Sequence, residues 1–115
     1  MILQLDIQKP APGVAVVRFI GPLTLGTSLH AADAQLQKTI TEGSAKVVLN
    51  LTEVPYMDSA GLGVVVQASG LANEQGGALR LCGVTDRVAS LIKLTRTDSL
   101  LPMDEDVNAS LKALE

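Results

Sequence analysis

An apolar run that ends in a capped loop constrains this chain more than any other stretch. Lys46 to Leu51 (Lys-Val-Val-Leu-Asn-Leu) reads as a strand covered on both faces, because its apolar residues are nearly continuous rather than alternating. It is followed by Val54-Pro55-Tyr56-Met57-Asp58-Ser59-Ala60-Gly61-Leu62-Gly63 and then by a mostly apolar segment reaching Ala72. An acid and a hydroxyl therefore stand where a strand gives way to a helix. The side-chain oxygens of Asp and Ser both accept the unpaired amides of a helix start. Gly61 and Gly63 remove side-chain bulk behind Ser59, so another protein surface is expected to approach Ser59 closely, packing on Gly61.

The rest of the chain supplies partners for this unit. Leu3 to Gln8 alternates, with Leu3, Leu5 and Ile7 on one face and Gln4, Asp6 and Gln8 on the other, the period of a half-buried strand. Lys9-Pro10-Ala11-Pro12-Gly13 reads as a turn, and Val14 to Ile20 as a second strand that forms a hairpin with the first. After Gly21-Pro22 and a short loop, Leu23 to Gly26, a helix is expected with Thr27 or Ser28 as its cap. Leu29, Ala32, Leu36 and Ile40 recur at helical spacing, and Gly43 closes the run. Ala60 to Gln75 is ambiguous locally: Val64-Val65-Val66 favours a strand. Its length, its cap residues and the stripe Gln67, Gly70, Glu74 favour a largely buried helix ended by Gly76-Gly77. Ala78 to Cys82 is a further strand, Thr85 or Asp86 caps a short helix carrying Val88, Leu91 and Ile92, and Leu100-Leu101 is expected as a short edge strand before Pro102. Asp104 is expected to open a last helix with Val107, Leu111 and Leu114 inward; Asp104, Glu105 and Asp106 suit the positive end of its dipole better than a metal. Strands alternating with helices predict an α/β fold with a mainly parallel sheet, to which the hairpin adds antiparallel pairing.

Composition narrows the function classes. The 115 residues suggest one domain spanning 1–115 that buries its core without staples. Phe19 and Tyr56 are the only aromatics, so a base-stacking platform is not expected. The net charge is -3 and the basic residues are scattered singly, which leaves no footprint for nucleic acid. Cys82 is the only cysteine and falls in an apolar run, where it reads as a small buried hydrophobe. His30 is the only histidine, and with Cys82 it makes no zinc set. Neither a phosphate-binding glycine loop nor a Walker motif occurs, so neither cofactor nor metal is expected. No apolar run approaches the ~18 residues of a membrane span, so direct membrane insertion is not expected.

The segment Asp58-Ser59-Ala60-Gly61-Leu62-Gly63, together with Gly76-Gly77-Ala78-Leu79-Arg80-Leu81-Cys82-Gly83-Val84, resembles the STAS domain of bacterial anti-sigma factor antagonists. The resemblance implies a mixed sheet of four or five strands with about four packed helices. It implies a non-enzymatic, cytoplasmic regulator that binds an anti-sigma factor serine kinase when unphosphorylated. That kinase phosphorylates it on the residue at Ser59, it then lets go, and a serine phosphatase resets it. The family's partner surface maps onto Thr24, Leu25, Asp58, Ser59, Gly61 and Leu62. Thr24 stands where the family often has an acid, in Gly21-Pro22-Leu23-Thr24-Leu25-Gly26. Leu25 is either an exposed contact or a loop residue tucked onto the core.

From local chemistry alone, Ser59 is a helix cap; from the resemblance it is a phosphorylation site. Asp58 either orients the Ser59 hydroxyl or holds the loop through backbone amides. Thr24 keeps open a second role, as a STAS subunit of a lipid-transport or other signalling assembly. A small hydrolase built on Ser59 would need His30 within hydrogen-bond reach, and Met57-Asp58-Ser59-Ala60-Gly61 is not a nucleophile elbow.

Overall fold

The structure, a computed structural model, describes residues 2–115. The elements follow one another as β1 (Gln4–Ala11), β2 (Val14–Ile20), α1 (Thr27–Thr41), β3 (Lys46–Glu53), α2 (Ser59–Glu74), β4 (Ala78–Cys82), α3 (Asp86–Leu94), a short 3-10 turn (Thr97–Ser99), β5 (Met103–Asp104) and α4 (Val107–Ala113). The five strands form one sheet in the order β1-β2-β3-β4-β5. β1 and β2 pair antiparallel, and every later pair is parallel. β3 is thus the central strand, as its continuous apolar run requires.

Alternation along the strands divides the core between two faces. Val17 and Phe19 of β2, Val47, Leu49 and Leu51 of β3, and Leu79 and Leu81 of β4 point to one side. There they meet Leu29, Ala32, Leu36 and Ile40 of α1, Leu62, Val65, Ala68 and Ala72 of α2, and Val88 and Ile92 of α3. Val48 and Cys82 point to the other side and pack with Val107 and Leu111 of α4 and with Leu114, which caps its C-terminus. The valine run that favoured a strand is helical because α2 packs against both the sheet and α1, where tertiary burial outweighs β propensity. Gln67, Gly70 and Glu74 form its exposed face. Gly76, at φ 84°, takes the left-handed conformation that ends α2.

Several boundaries differ from expectation; β3, for one, runs two residues past Leu51 to Glu53. β1 runs on to Ala11, with a register shift between Gln8 and Ala11 that accommodates Pro10, so the turn is only Pro12-Gly13. Gly26 precedes α1 in the cap position, and the Ser28 hydroxyl instead accepts the Leu3 amide at 3.3 Å. The last strand is Met103–Asp104, not Leu100-Leu101: Leu101 is fully buried, Leu100 is exposed, and pairing begins after Pro102. α4 starts at Val107, capped by the Asp106 carboxylate on the Ala109 amide at 2.9 Å. Asp104 is drawn off into a bidentate pair with Arg80, at 2.6 and 3.1 Å, and also accepts the Ser110 hydroxyl at 2.7 Å.

Candidate functional site

Because β2, β3 and β4 are parallel, the loops that follow them share one edge of the sheet. The loop after β3, residues 54–58, lies between the other two. On one side the Leu23 amide donates to the Tyr56 carbonyl at 3.2 Å, and the Asp58 amide donates to the Leu23 carbonyl at 3.1 Å. On the other, the Thr85 hydroxyl donates to the Val54 carbonyl at 2.8 Å.

Asp58 is the N-cap of α2, and it does two things at once. Oδ1 accepts the Gly61 amide at 2.9 Å, which closes the first turn of the helix. Oδ2 accepts the Leu25 amide at 2.9 Å, which fastens the loop after β2 to the same helix start. The Leu25 amide is the main reason that the Asp58 carboxyl sits below its ordinary value, with the Gly61 amide adding to it against the cost of burial. Of the two roles open to Asp58 from sequence, the bonds observed are those of the loop organiser: both oxygens are engaged with backbone.

Ser59 is therefore not the cap but the first residue of α2, and it is exposed. Its hydroxyl has no hydrogen-bond partner among the described residues. His30 lines a shallow cleft of about 180 Å³ together with Leu25, Leu29, Ala60 and Val64, and Ser59 is not part of its lining. No hydrogen bond joins His30 to Ser59 among the described residues, so the structure assembles no serine–histidine pair. No cluster of metal-ligating side chains occurs among the described residues either.

The expected partner surface divides in two. Leu25 is 82% exposed, so it is a surface residue rather than one tucked onto the core; Thr24 beside it is half-buried. Gly61 and Leu62 are buried. A Cβ on Gly61 would lie 2.0 Å from the Leu23 carbonyl oxygen. The surface that approaches Gly61 closely is thus the chain's own loop, and the expectation that a partner packs there is corrected. The open glycine is Gly63, which has nothing within 4 Å of a built Cβ. Sequence inspection had no means of telling the two apart, because the contact that separates them spans about forty residues. Nor does the sequence single out Arg87, whose guanidinium lies over the Tyr56 ring. The one signal for that pair was Tyr56 itself, an aromatic in a chain that has only two.

Comparison with known proteins places this chain among relatives. The family model described as "STAS domain" matches residues 7–110. The anti-sigma F factor antagonist of Paenibacillus polymyxa is 32% identical over 111 residues, covering 95% of this chain and 93% of that protein. An anti-sigma factor antagonist from Mycobacterium paratuberculosis superimposes with a TM-score of 0.83 at 17% identity, over 97% of this chain and 93% of that one. The Bacillus cell fate determinant SpoIIAA in its phosphorylated form superimposes with a TM-score of 0.76 at 14% identity, over 96% of this chain and 99% of that one. At such identities the two superpositions speak for the fold alone. Among the described residues, no helix is long and apolar enough to cross a membrane.

Proposed function

This chain belongs to the STAS domain family, and we propose that it is an anti-sigma factor antagonist, switched by phosphorylation of Ser59. Unphosphorylated, it binds an anti-sigma factor kinase in the cytoplasm through the surface around Leu25, Thr24 and Ser59, and the sigma factor is set free. Phosphorylated, it lets the kinase go, and a serine phosphatase restores it. The chain is the substrate in this cycle and carries out no chemistry itself. Gly61 and Leu62 contribute from beneath, by holding the loop and the helix start in register.

The observation that carries this reading is the exposed, unbonded hydroxyl of Ser59 on a rigid mount. A kinase can reach it without opening the fold, since Asp58 and not Ser59 caps the helix. A phosphate there brings roughly -1.5 to -2 charges at neutral pH. The start of α2 accommodates negative charge through its dipole and free amides, so the domain stays folded. A partner fitted against a neutral hydroxyl then meets a hydrated dianion, which converts a covalent mark into loss of binding. The name of the Paenibacillus relative supports the antagonist role. The shared fold with a protein solved in its phosphorylated form supports a switch that spares the fold.

Incubation with the anti-sigma kinase of the same organism and ATP should add one phosphate. Ser59→Ala should accept none, and a Ser59→Ala protein still phosphorylated to the same extent would sink the assignment. Ser59→Asp should melt close to wild type and bind the kinase more weakly; loss of its folded state would make the site structural instead.

A further inference from the structure

Three loops meet at the edge of the sheet that carries Ser59, and the proposed partner surface uses only two of them. The third, after β4, leads into α3, where Arg87 is the second residue. Its guanidinium carbon lies 4.7 Å from the centre of the Tyr56 ring. Tyr56 is 39% exposed, whereas Phe19, the other aromatic, is fully buried. The backbone that carries the ring is held on both sides, the Tyr56 carbonyl by the Leu23 amide and the Val54 carbonyl by the Thr85 hydroxyl.

A guanidinium laid on a ring spends its face and keeps the N–H donors at its edge. Those of Arg87 have no acid to meet. The ion pairs among the described residues join Arg18 to Asp6 and Glu53, and Arg80 to Asp104; Arg87 is in none of them, although Asp86 precedes it in the chain. The opposite flank of the same edge presents Thr24, which is neutral, and the Asp58 carboxylate there is already committed to backbone amides. Arg87 is therefore an exposed cation on this edge, stacked on Tyr56 and in no ion pair among the described residues, with its N–H donors left for an outside carboxylate. Tyrosine and arginine are also among the residue types that dominate binding once a partner buries them at a protein interface.

We propose that the stacked Tyr56–Arg87 pair is a carboxylate-reading contact: the anti-sigma kinase lays an Asp or Glu side chain against the edge of the Arg87 guanidinium while it holds Ser59. This rests on the function proposed above, and it adds the loop after β4 to the partner surface and assigns the chemistry of the partner group.

The test is a binding titration of the full chain against the kinase that phosphorylates Ser59, without nucleotide. Arg87→Glu should weaken binding by about tenfold or more, as charge reversal at a close interfacial pair does. Arg87→Lys should fall between the two, since a point charge replaces a planar fork. Tyr56→Phe should bind like wild type, and Tyr56→Ala should lose part of the affinity with the platform. Arg87→Gln, a small change at an exposed position, should also flatten the dependence of affinity on salt, which a packing role would leave alone. If Arg87→Glu and Arg87→Gln both bind as wild type does, with the same salt dependence, this inference fails while the Ser59 switch stands. If the loss appears only when ATP is present, the group read is a nucleotide phosphate and the protein carboxylate is wrong. A wild-type chain that no such kinase binds or phosphorylates overturns the function itself, and this contact with it.

Discussion

Asp58 and Asp104 are both carboxylates held below the ordinary range, each next to the start of a helix and each near a serine, yet they build opposite kinds of site. At Asp58 the partners are backbone amides, from Leu25 and Gly61. No side chain is consumed, and Ser59 is left facing solvent. At Asp104 the partners are side chains: the Arg80 guanidinium, which is the largest cause of its lowered pKa, and the Ser110 hydroxyl. Ser110 is fully buried as a result. A polar network that closes on side chains works as an anchor, here joining β4, β5 and α4. One that closes on backbone fixes a loop just as firmly and leaves the neighbouring side chain available for chemistry.

The largest expected effect breaks the Asp58 clamp without touching Asp58. Gly61→Ala sets a methyl group 2.0 Å from the Leu23 carbonyl oxygen, where backbone must move. We expect a loss of about 3 kcal/mol, read by urea denaturation, in keeping with overpacked sites. Gly63→Ala, two residues on with open space around it, should be neutral or stabilising by up to about 1 kcal/mol. Equal effects at the two positions would mean that the loop does not rest on α2 as described.

Breaking the other clamp comes next. Asp104→Asn leaves Arg80 without its carboxylate and weakens the bond to buried Ser110, and it should cost about 2 kcal/mol. Both aspartates have folded-state pKa values below the ordinary 3.8. The stability that each contributes is therefore complete above the unfolded value and is lost as the pH falls through the lowered folded one. Denaturant midpoints measured from pH 6 down to pH 2 should fall on the acid side of about pH 4. Asp104→Asn should fall less steeply over that interval; an unchanged acid limb would remove Asp104 from the account.

Smaller effects separate mounting from chemistry. Asp58→Ala removes an N-cap at about 1 kcal/mol, and amide exchange should quicken at Leu25 as well as Gly61. Faster exchange at Gly61 alone would show that the Leu25 loop is held by other contacts. Ser59→Ala should change stability by less than about 0.5 kcal/mol, as an exposed residue outside both networks does. A larger loss would put Ser59 inside the clamp.

Much of this was legible in the chain before folding. β2 and β4 have the expected bounds, Leu29, Ala32, Leu36 and Ile40 are the buried stripe of α1, and Asp58 is a cap. These are matters of period and of side-chain chemistry within a few residues, which act before any tertiary contact forms. Several of the expectations that failed depended on a distant neighbour. Its position in an acidic run points Asp104 to a helix start, but Arg80, twenty-four residues earlier, claims it. Ser28 has the chemistry of a cap, but its hydroxyl accepts the Leu3 amide instead.

Sequence alone determined that an acid and a serine would stand where a central strand passes into a helix, because strand burial, capping chemistry and glycine punctuation are all local. The tertiary structure decided which of them faces outward. Only when the loop after β2 folds over Gly61 does Asp58 find its second amide. That contact turns Asp58 into a mount, makes Gly61 an interior residue, and leaves Ser59, Leu25 and Arg87 on one accessible edge. A local pattern cannot encode that division, because the groups that enforce it come together only when parallel strands bring separate loops to the same end of the sheet.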